Sequence, residues 1–66
     1  MNPEILKGKW KQLTGEAQRQ WGKLTGDDIQ MIEGDREKLV GKIQERYGKS
    51  KDEAEKEVND WLSSTH

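Results

Sequence analysis

The sequence contains no cysteine and no phenylalanine, and it has only one proline and one histidine. Without cysteine, the chain has no disulfide scaffold, no thiolate nucleophile and no cysteine-ligated zinc or iron–sulfur site. The single histidine, His66, is the last residue, so imidazole-based metal binding or acid–base catalysis has almost nothing to work with. We therefore expect no metal, no cofactor and no catalytic residue, and we expect that the protein is not an enzyme.

Long apolar runs are also missing, because no run of apolar residues exceeds two. A transmembrane helix needs about 20 such residues, and a signal peptide needs an apolar centre of roughly 7 to 15. We expect a cytoplasmic protein with no membrane association.

The composition lies between that of an ordinary globular domain and that of a disordered chain. Only 29% of the 66 residues are hydrophobic and 38% are charged, and the mean hydropathy is −1.24. The net charge is only −1, since 12 basic residues nearly balance 13 acidic ones, and the two kinds are interspersed so that they can pair on helix faces. This favours one small folded domain over residues 1–66, of modest stability.

A first helix is predicted over about 3–22. Pro3 suits the first turn of a helix, and apolar residues then recur at spacings of three and four, which is typical of one buried helix face: Leu6, Trp10, Leu13, Ala17, Trp21 and Leu24. Gly8, Gly15 and Gly22 recur on roughly the opposite side, and each costs about 1 kcal/mol of helix propensity relative to alanine. The first helix is therefore intrinsically weak.

Three shorter helices are predicted over about 26–33, 35–47 and 51–62. Thr25, Asp35 and Ser50 are suited to capping their starts, and Gly34 and Gly48 to ending the second and third. Strand signals are absent, and the short connections make neighbouring helices turn back on one another, so we expect an all-α, compact array. Their apolar faces contain Ile29, Ile32, Leu39, Val40, Ile43, Tyr47, Ala54, Val58, Trp61 and Leu62, with the burial of Met31 left open.

Four segments resemble the CsbD-like family: GKWKQ at 8–12, WGKLT at 21–25, IEGDREKLVGKIQERYG at 32–48 and KDEAEKEV at 51–58. The resemblance implies two α-hairpins packed roughly at right angles, in a layout similar to SAM-like domains. It also implies a bacterial protein that accumulates under general stress, and it supplies no catalytic residue or cofactor.

Residues 1–23 carry five basic side chains against two acidic ones, whereas residues 24–66 carry seven against eleven. The basic half could follow a nucleic-acid backbone with Trp10 and Trp21 stacking on bases. Both tryptophans lie on the apolar stripe, however, and a net charge of −1 repels phosphate overall. A solvated lysine face is the plainer interpretation, and nucleic acid is an unlikely partner.

Other site patterns have structural interpretations. The glycines are not clustered as in a P-loop, and Asp27, Asp28, Asp52, Glu53 and Glu55 suit helix starts better than a calcium loop. The tryptophans and Tyr47 suit a shared core better than a ligand box. The first helix also lacks the apolar bulk of membrane-surface helices.

Two functional hypotheses remain from this pattern, with a third as a weaker alternative. The first is a stress-response protein acting as a small helical protein-interaction module, which docks a protein partner or another copy of itself. The second is a protectant of the hydrophilin type, which acts through bulk solvation and needs no specific site. The third is a weak nucleic-acid binder through the basic first helix.

Overall fold

The computed structural model describes residues 3–64, with side chains from Leu6 onward. These residues form four helices and no strand: α1 Pro3–Gln20, α2 Gly26–Ile32, α3 Arg36–Tyr47 and α4 Lys51–Ser64. The all-α prediction is confirmed, and every helix boundary lies within two residues of its expected position. The body measures 27 × 23 × 17 Å along its principal axes. The right-angle packing of two hairpins stays a prediction.

The apolar stripe of α1 continues past the end of the helix. The helix ends at Gln20, but the Trp21 N–H still donates to the Ala17 carbonyl at 2.8 Å, and the Leu24 N–H then donates to the Trp21 carbonyl at 3.0 Å. Trp21 and Leu24 are both buried although they lie in a turn. Gly22 therefore belongs to this turn and not to the helix.

Side-chain caps fix the starts of the other three helices, as expected. The Thr25 N–H donates to Asp28 Oδ2 at 3.0 Å, and the Asp28 N–H donates to Thr25 Oγ1 at 3.1 Å, which completes a capping box. Asp35 Oδ1 accepts from two backbone N–H groups at the start of α3. Ser50 and Glu53 form the capping box of α4, and the backbone and hydroxyl hydrogen bonds from Ser50 lower the pKa of Glu53.

The connection between α2 and α3 contains two residues in the left-handed conformation, Glu33 at φ 50° and Gly34 at φ 78°. Gly34 also packs directly on α1. A Cβ atom added there would lie 2.7 Å from Lys7 Cα and 3.1 Å from Trp10 Cβ. Glycine is needed at position 34 both for its backbone conformation and for this close approach. Gly48 ends α3 at φ 65°.

All three tryptophans belong to one core cluster, which confirms their expected structural role. Trp21 and Trp61 meet edge to face, with ring centroids 5.0 Å apart and an interplanar angle of 70°. Tyr47 and Leu62 pack against the cluster while partly buried, and Met31 is 58% exposed. The buried apolar residues are Leu6, Trp10, Leu13, Ala17, Trp21, Leu24, Ile29, Ile32, Leu39, Val40, Ile43, Ala54, Val58 and Trp61.

Candidate functional site

The described part of the chain, residues 3–64, holds no group of three or more His, Asp or Glu side chains arranged to bind a metal ion. Within the same residues, no helix has the length and apolar character needed to cross a membrane. His66 lies outside the described residues.

The most deeply buried charged group is the carboxylate of Asp28, which is only 2% exposed. Arg46 donates to it through two nitrogens, Nε to Oδ2 at 2.9 Å and Nη2 to Oδ1 at 3.0 Å. The Lys42 ammonium lies 3.4 Å from Oδ1. Hydrogen bonding from Arg46, with that from the Thr25 backbone, holds the pKa of Asp28 far below its ordinary value of 3.8.

This cluster has a structural role. A general acid or base works best with a pKa near the working pH, whereas Asp28 stays ionised and is occupied by donors from α3 and from its own capping box. Arg46 and Lys42 of α3 both reach across to α2. The ion pair between Asp28 and Arg46 therefore joins α2 to α3. From the sequence, Asp28 was assigned only the role of a negative charge at a helix start.

A second polar cluster fastens the end of the α1 stripe to α4. Glu57 accepts a hydrogen bond from Trp21 Nε1 at 3.1 Å and forms an ion pair with Lys49. The Lys49 hydrogen bond lowers the pKa of Glu57. Trp10 Nε1 donates to the Ile29 carbonyl oxygen at 3.2 Å. These indoles are thus buried anchors with polar partners, so they are not available to stack on a ligand.

Tyr47 lies between two lysines. Its hydroxyl oxygen accepts a hydrogen bond from the Lys23 backbone N–H at 3.1 Å. The ammonium groups of Lys23 and Lys49 lie 5.1 Å and 5.7 Å from the centre of the tyrosine ring, within the range of cation–π attraction. Tyr47 therefore positions the turn after α1 through its hydroxyl. Its ring attracts the ammonium groups of Lys23 and Lys49.

The remaining candidate is the outer face of α1, which we define as the exposed side chains from Lys7 to Gln20 together with Lys23 in the turn that follows the helix. Its basic members are Lys7, Lys9, Lys11, Arg19 and Lys23, against one carboxylate, Glu16, which lies 3.7 Å from Arg19. Among the side chains described, which begin at Leu6, no carboxylate lies within ion-pair distance of the first three lysines. In the rest of the chain, by contrast, the basic residues that pair with carboxylates are Lys42, Arg46, Lys49 and Lys51.

Two glycines lie on this same outer face. A Cβ atom added at Gly8 or Gly15 would meet nothing within 4 Å, so neither glycine is required by packing inside the protein. The expected placement of the glycines away from the core is confirmed for these two positions. The outer face of α1 is therefore positively charged, flat in its middle and unoccupied by the rest of the fold.

The family model described as CsbD-like matches residues 4–56 of this sequence. The chain belongs to the CsbD-like family. It is 62% identical to the UPF0337 protein YjbJ of Escherichia coli strain K12 over 61 residues, which cover 92% of this chain and 88% of that protein. It is 59% identical to the UPF0337 protein PA4738 of Pseudomonas aeruginosa over 61 residues, which cover 92% of this chain and 94% of the relative.

The matched range of this CsbD-like chain begins in α1 and ends in the second turn of α4. It therefore includes the buried link between Asp28 and Arg46 and the whole outer face of α1.

Proposed function

We propose that this protein serves the general stress response as a small folded protein-interaction module, and that it is not an enzyme. The stress context follows from the family to which the chain belongs. The observation that carries the proposal is the packing of all three tryptophans into one core shared by the four helices. Such a core holds the surface side chains in fixed relative positions, as specific binding requires and bulk solvation does not.

The polar interior supports a single packed arrangement. Among the described residues, no buried side-chain nitrogen or oxygen lacks a hydrogen-bond partner. Satisfied polar networks favour one unique packing over a set of loose ones. The hydrophilin alternative needs composition alone, and neither the capping boxes nor the Asp28–Arg46 link contributes to bulk solvation.

The distribution of charge supports docking through opposite surfaces. Residues 24–66 carry seven basic against eleven acidic side chains, whereas residues 1–23 carry five against two. A protein with a complementary charge pattern is steered toward one of these surfaces and repelled from the other. The proposed module therefore presents an acidic surface on α2–α4 to a basic partner protein.

The absence of enzyme activity in this proposal rests on the state of Asp28, the one buried carboxylate among the described side chains. Asp28 has a lowered pKa and is occupied by donors, so it has neither the proton nor the free lone pairs that acid–base chemistry uses.

The experiment compares fold and composition directly. In a bacterium that lacks its own CsbD-like gene, stress survival is measured with the wild-type protein, a sequence-shuffled chain of the same composition, the core variant Leu39→Asp and the surface variant Gln30→Asp. Leu39 is fully buried and Gln30 is exposed, so the two substitutions add the same charge with different effects on the core. Circular dichroism verifies which variants fold.

We expect the wild type and Gln30→Asp to restore survival, and the shuffled chain and Leu39→Asp to fail at equal protein abundance. If the unfolded and shuffled chains protected the cells as well as the wild type does, the protein would act through bulk solvation and the interaction module would be refuted.

A further inference from the structure

We propose that the outer face of α1 binds the phosphate backbone of double-stranded nucleic acid without reading its sequence. This goes beyond the protein docking proposed above, because it uses a different surface and a different class of partner. Its basis is the set of exposed lysines Lys7, Lys9 and Lys11, which no described carboxylate neutralises.

The helix geometry spreads these lysines across the face. At about 100° per residue, Lys7 and Lys11 lie on one flank of α1 and Lys9 on the other, roughly 160° away from Lys11. Lys7 and Lys11 are about 6 Å apart along the helix axis, which is within the span of a few consecutive phosphates of one strand, spaced about 3.4 Å apart along a duplex. The exposed Gly8 lies between the flanks, so no side chain blocks a backbone that follows the helix.

The chemistry of the face favours a polyanion over a protein or a membrane. The exposed residues of α1 are lysine, arginine, glutamine, glycine and one glutamate, with no apolar side chain among those described. Protein interfaces are depleted in lysine relative to the rest of the surface, and membrane-surface helices need an apolar face. The apolar face of α1 is already buried in the core. Interfaces with duplex nucleic acid, in contrast, are polar and positively charged.

The same structure excludes base readout by the tryptophans. Trp10 is 8% exposed and Trp21 is 1% exposed, and both indole N–H groups already have partners within the protein. Stacking on bases requires an accessible ring. Binding is therefore electrostatic, weak and independent of sequence.

The net charge of −1 does not prevent this binding. The acidic surplus belongs to residues 24–64, and the molecule measures 27 × 23 × 17 Å. Because the Debye length is about 8 Å at physiological ionic strength, charges on the far side of the body are screened. A duplex approaching α1 thus meets mainly the local surplus of five basic residues over two acidic residues in the first 23 positions.

The test is fluorescence anisotropy with a labelled DNA duplex, measured from 25 to 200 mM KCl for two unrelated sequences. We expect a micromolar Kd at the lowest salt, equal for both sequences. With three to four phosphate contacts, log K should fall with log salt at a slope of about −2.7 to −3.6, so binding weakens roughly 40- to 150-fold between 50 and 200 mM.

Two triple variants with the same net charge distinguish the contribution of the α1 lysines to binding from the contribution of overall charge. K7Q/K9Q/K11Q should reduce the steepness of the salt slope by about 2.7, because three phosphate contacts are lost. K38Q/K51Q/K56Q removes three exposed lysines outside α1 and should leave most of the affinity and nearly the whole slope. Circular dichroism confirms that both variants keep the wild-type helix content.

Four outcomes would overturn the proposal: no binding at 25 mM KCl, an equal loss in both triple variants, a preference for one of the two sequences, or tighter binding to phosphatidylserine vesicles than to the duplex. The last outcome would assign the face to a membrane surface. None of them bears on the stress-survival comparison of folded and unfolded chains, so the two proposals can fail separately.

Discussion

Replacing Gly8 and Gly15 together with alanine should stabilise the protein. Both glycines lie inside α1 and are exposed, and an added Cβ atom meets nothing within 4 Å at either position. Each substitution should therefore gain the full difference in helix propensity, about 0.8–1 kcal/mol. The two positions are about 10 Å apart along the axis, so the effects should add to about 1.6–2 kcal/mol.

This free energy corresponds to a large shift in Tm because the protein is small. At about 2.1 cal/mol/K per residue, unfolding 66 residues gains about 140 cal/mol/K, so the double variant should melt about 11–14 °C higher. The assay is thermal unfolding followed by far-UV and near-UV circular dichroism. Gly34→Ala is the matched control, since φ 78° and a Cβ position 2.7 Å from Lys7 Cα predict a lower Tm.

An unchanged or lower Tm in the double variant, with Gly34→Ala destabilising as expected, would refute the reasoning. It would mean that α1 does not unfold as a continuous helix together with the core. A rise in far-UV signal without a rise in Tm would lead to the same conclusion, because the helix would then gain order independently of its packing.

Other predictions concern the caps and buried polar groups. Trp10→Phe should cost about 1–3 kcal/mol in urea unfolding, because the Ile29 carbonyl loses its indole donor. Thr25→Ala should cost about 1 kcal/mol in the same assay through loss of the α2 cap. Asp28→Asn should lower Tm at neutral pH, because Arg46 loses a charged partner. Finally, the pKa of Asp28, like those of the two glutamates described above, is lowered by folding. The unfolded chain therefore binds more protons in acid, so the free energy of unfolding should be level above about pH 5 and fall as the pH drops through 4. The fall should be less steep in Asp28→Asn, which lacks the Asp28 carboxylate. A steady Tm from pH 6 to 2 would contradict this.

The helix starts and the core could be predicted from sequence because their signals are local. Thr25, Asp35 and Ser50 each satisfy backbone donors within three residues, so the capping pattern carries its own structural reason. The apolar spacing of α1 likewise identified the buried side of the helix, down to Trp21 and Leu24 in the turn beyond it.

The burial of Asp28 and the contact at Gly34 could not be predicted in the same way. Helix α2 has only seven residues, too few turns for apolar spacing to separate a buried flank from an exposed one. Lys42 and Arg46 have long side chains that leave the flank of α3 for a partner on another helix. Gly34 contacts α1 because the loop between α2 and α3 lies against that helix in the folded protein. The local sequence shows a glycine at this position but does not indicate the contact.

The charged candidate face was partly visible in the sequence, as a surplus of basic residues in the first third of the chain. What the sequence could not supply is which lysines find carboxylates. That depends on how α3 and α4 place Lys42, Arg46 and Lys49 beside acidic groups, while Lys7 and Lys9 are exposed.

The polar links described above have a consequence for how the fold responds to its surroundings. Asp28–Arg46 and Arg36–Asn59 tie α2, α3 and α4 together through charged groups, whereas α1 is attached largely by apolar side chains. Apolar attraction weakens on cooling, whereas salt screens a buried ion pair such as Asp28–Arg46 only weakly. Cold should therefore loosen the first helix before the other three, and salt should leave the link between α2 and α3 in place.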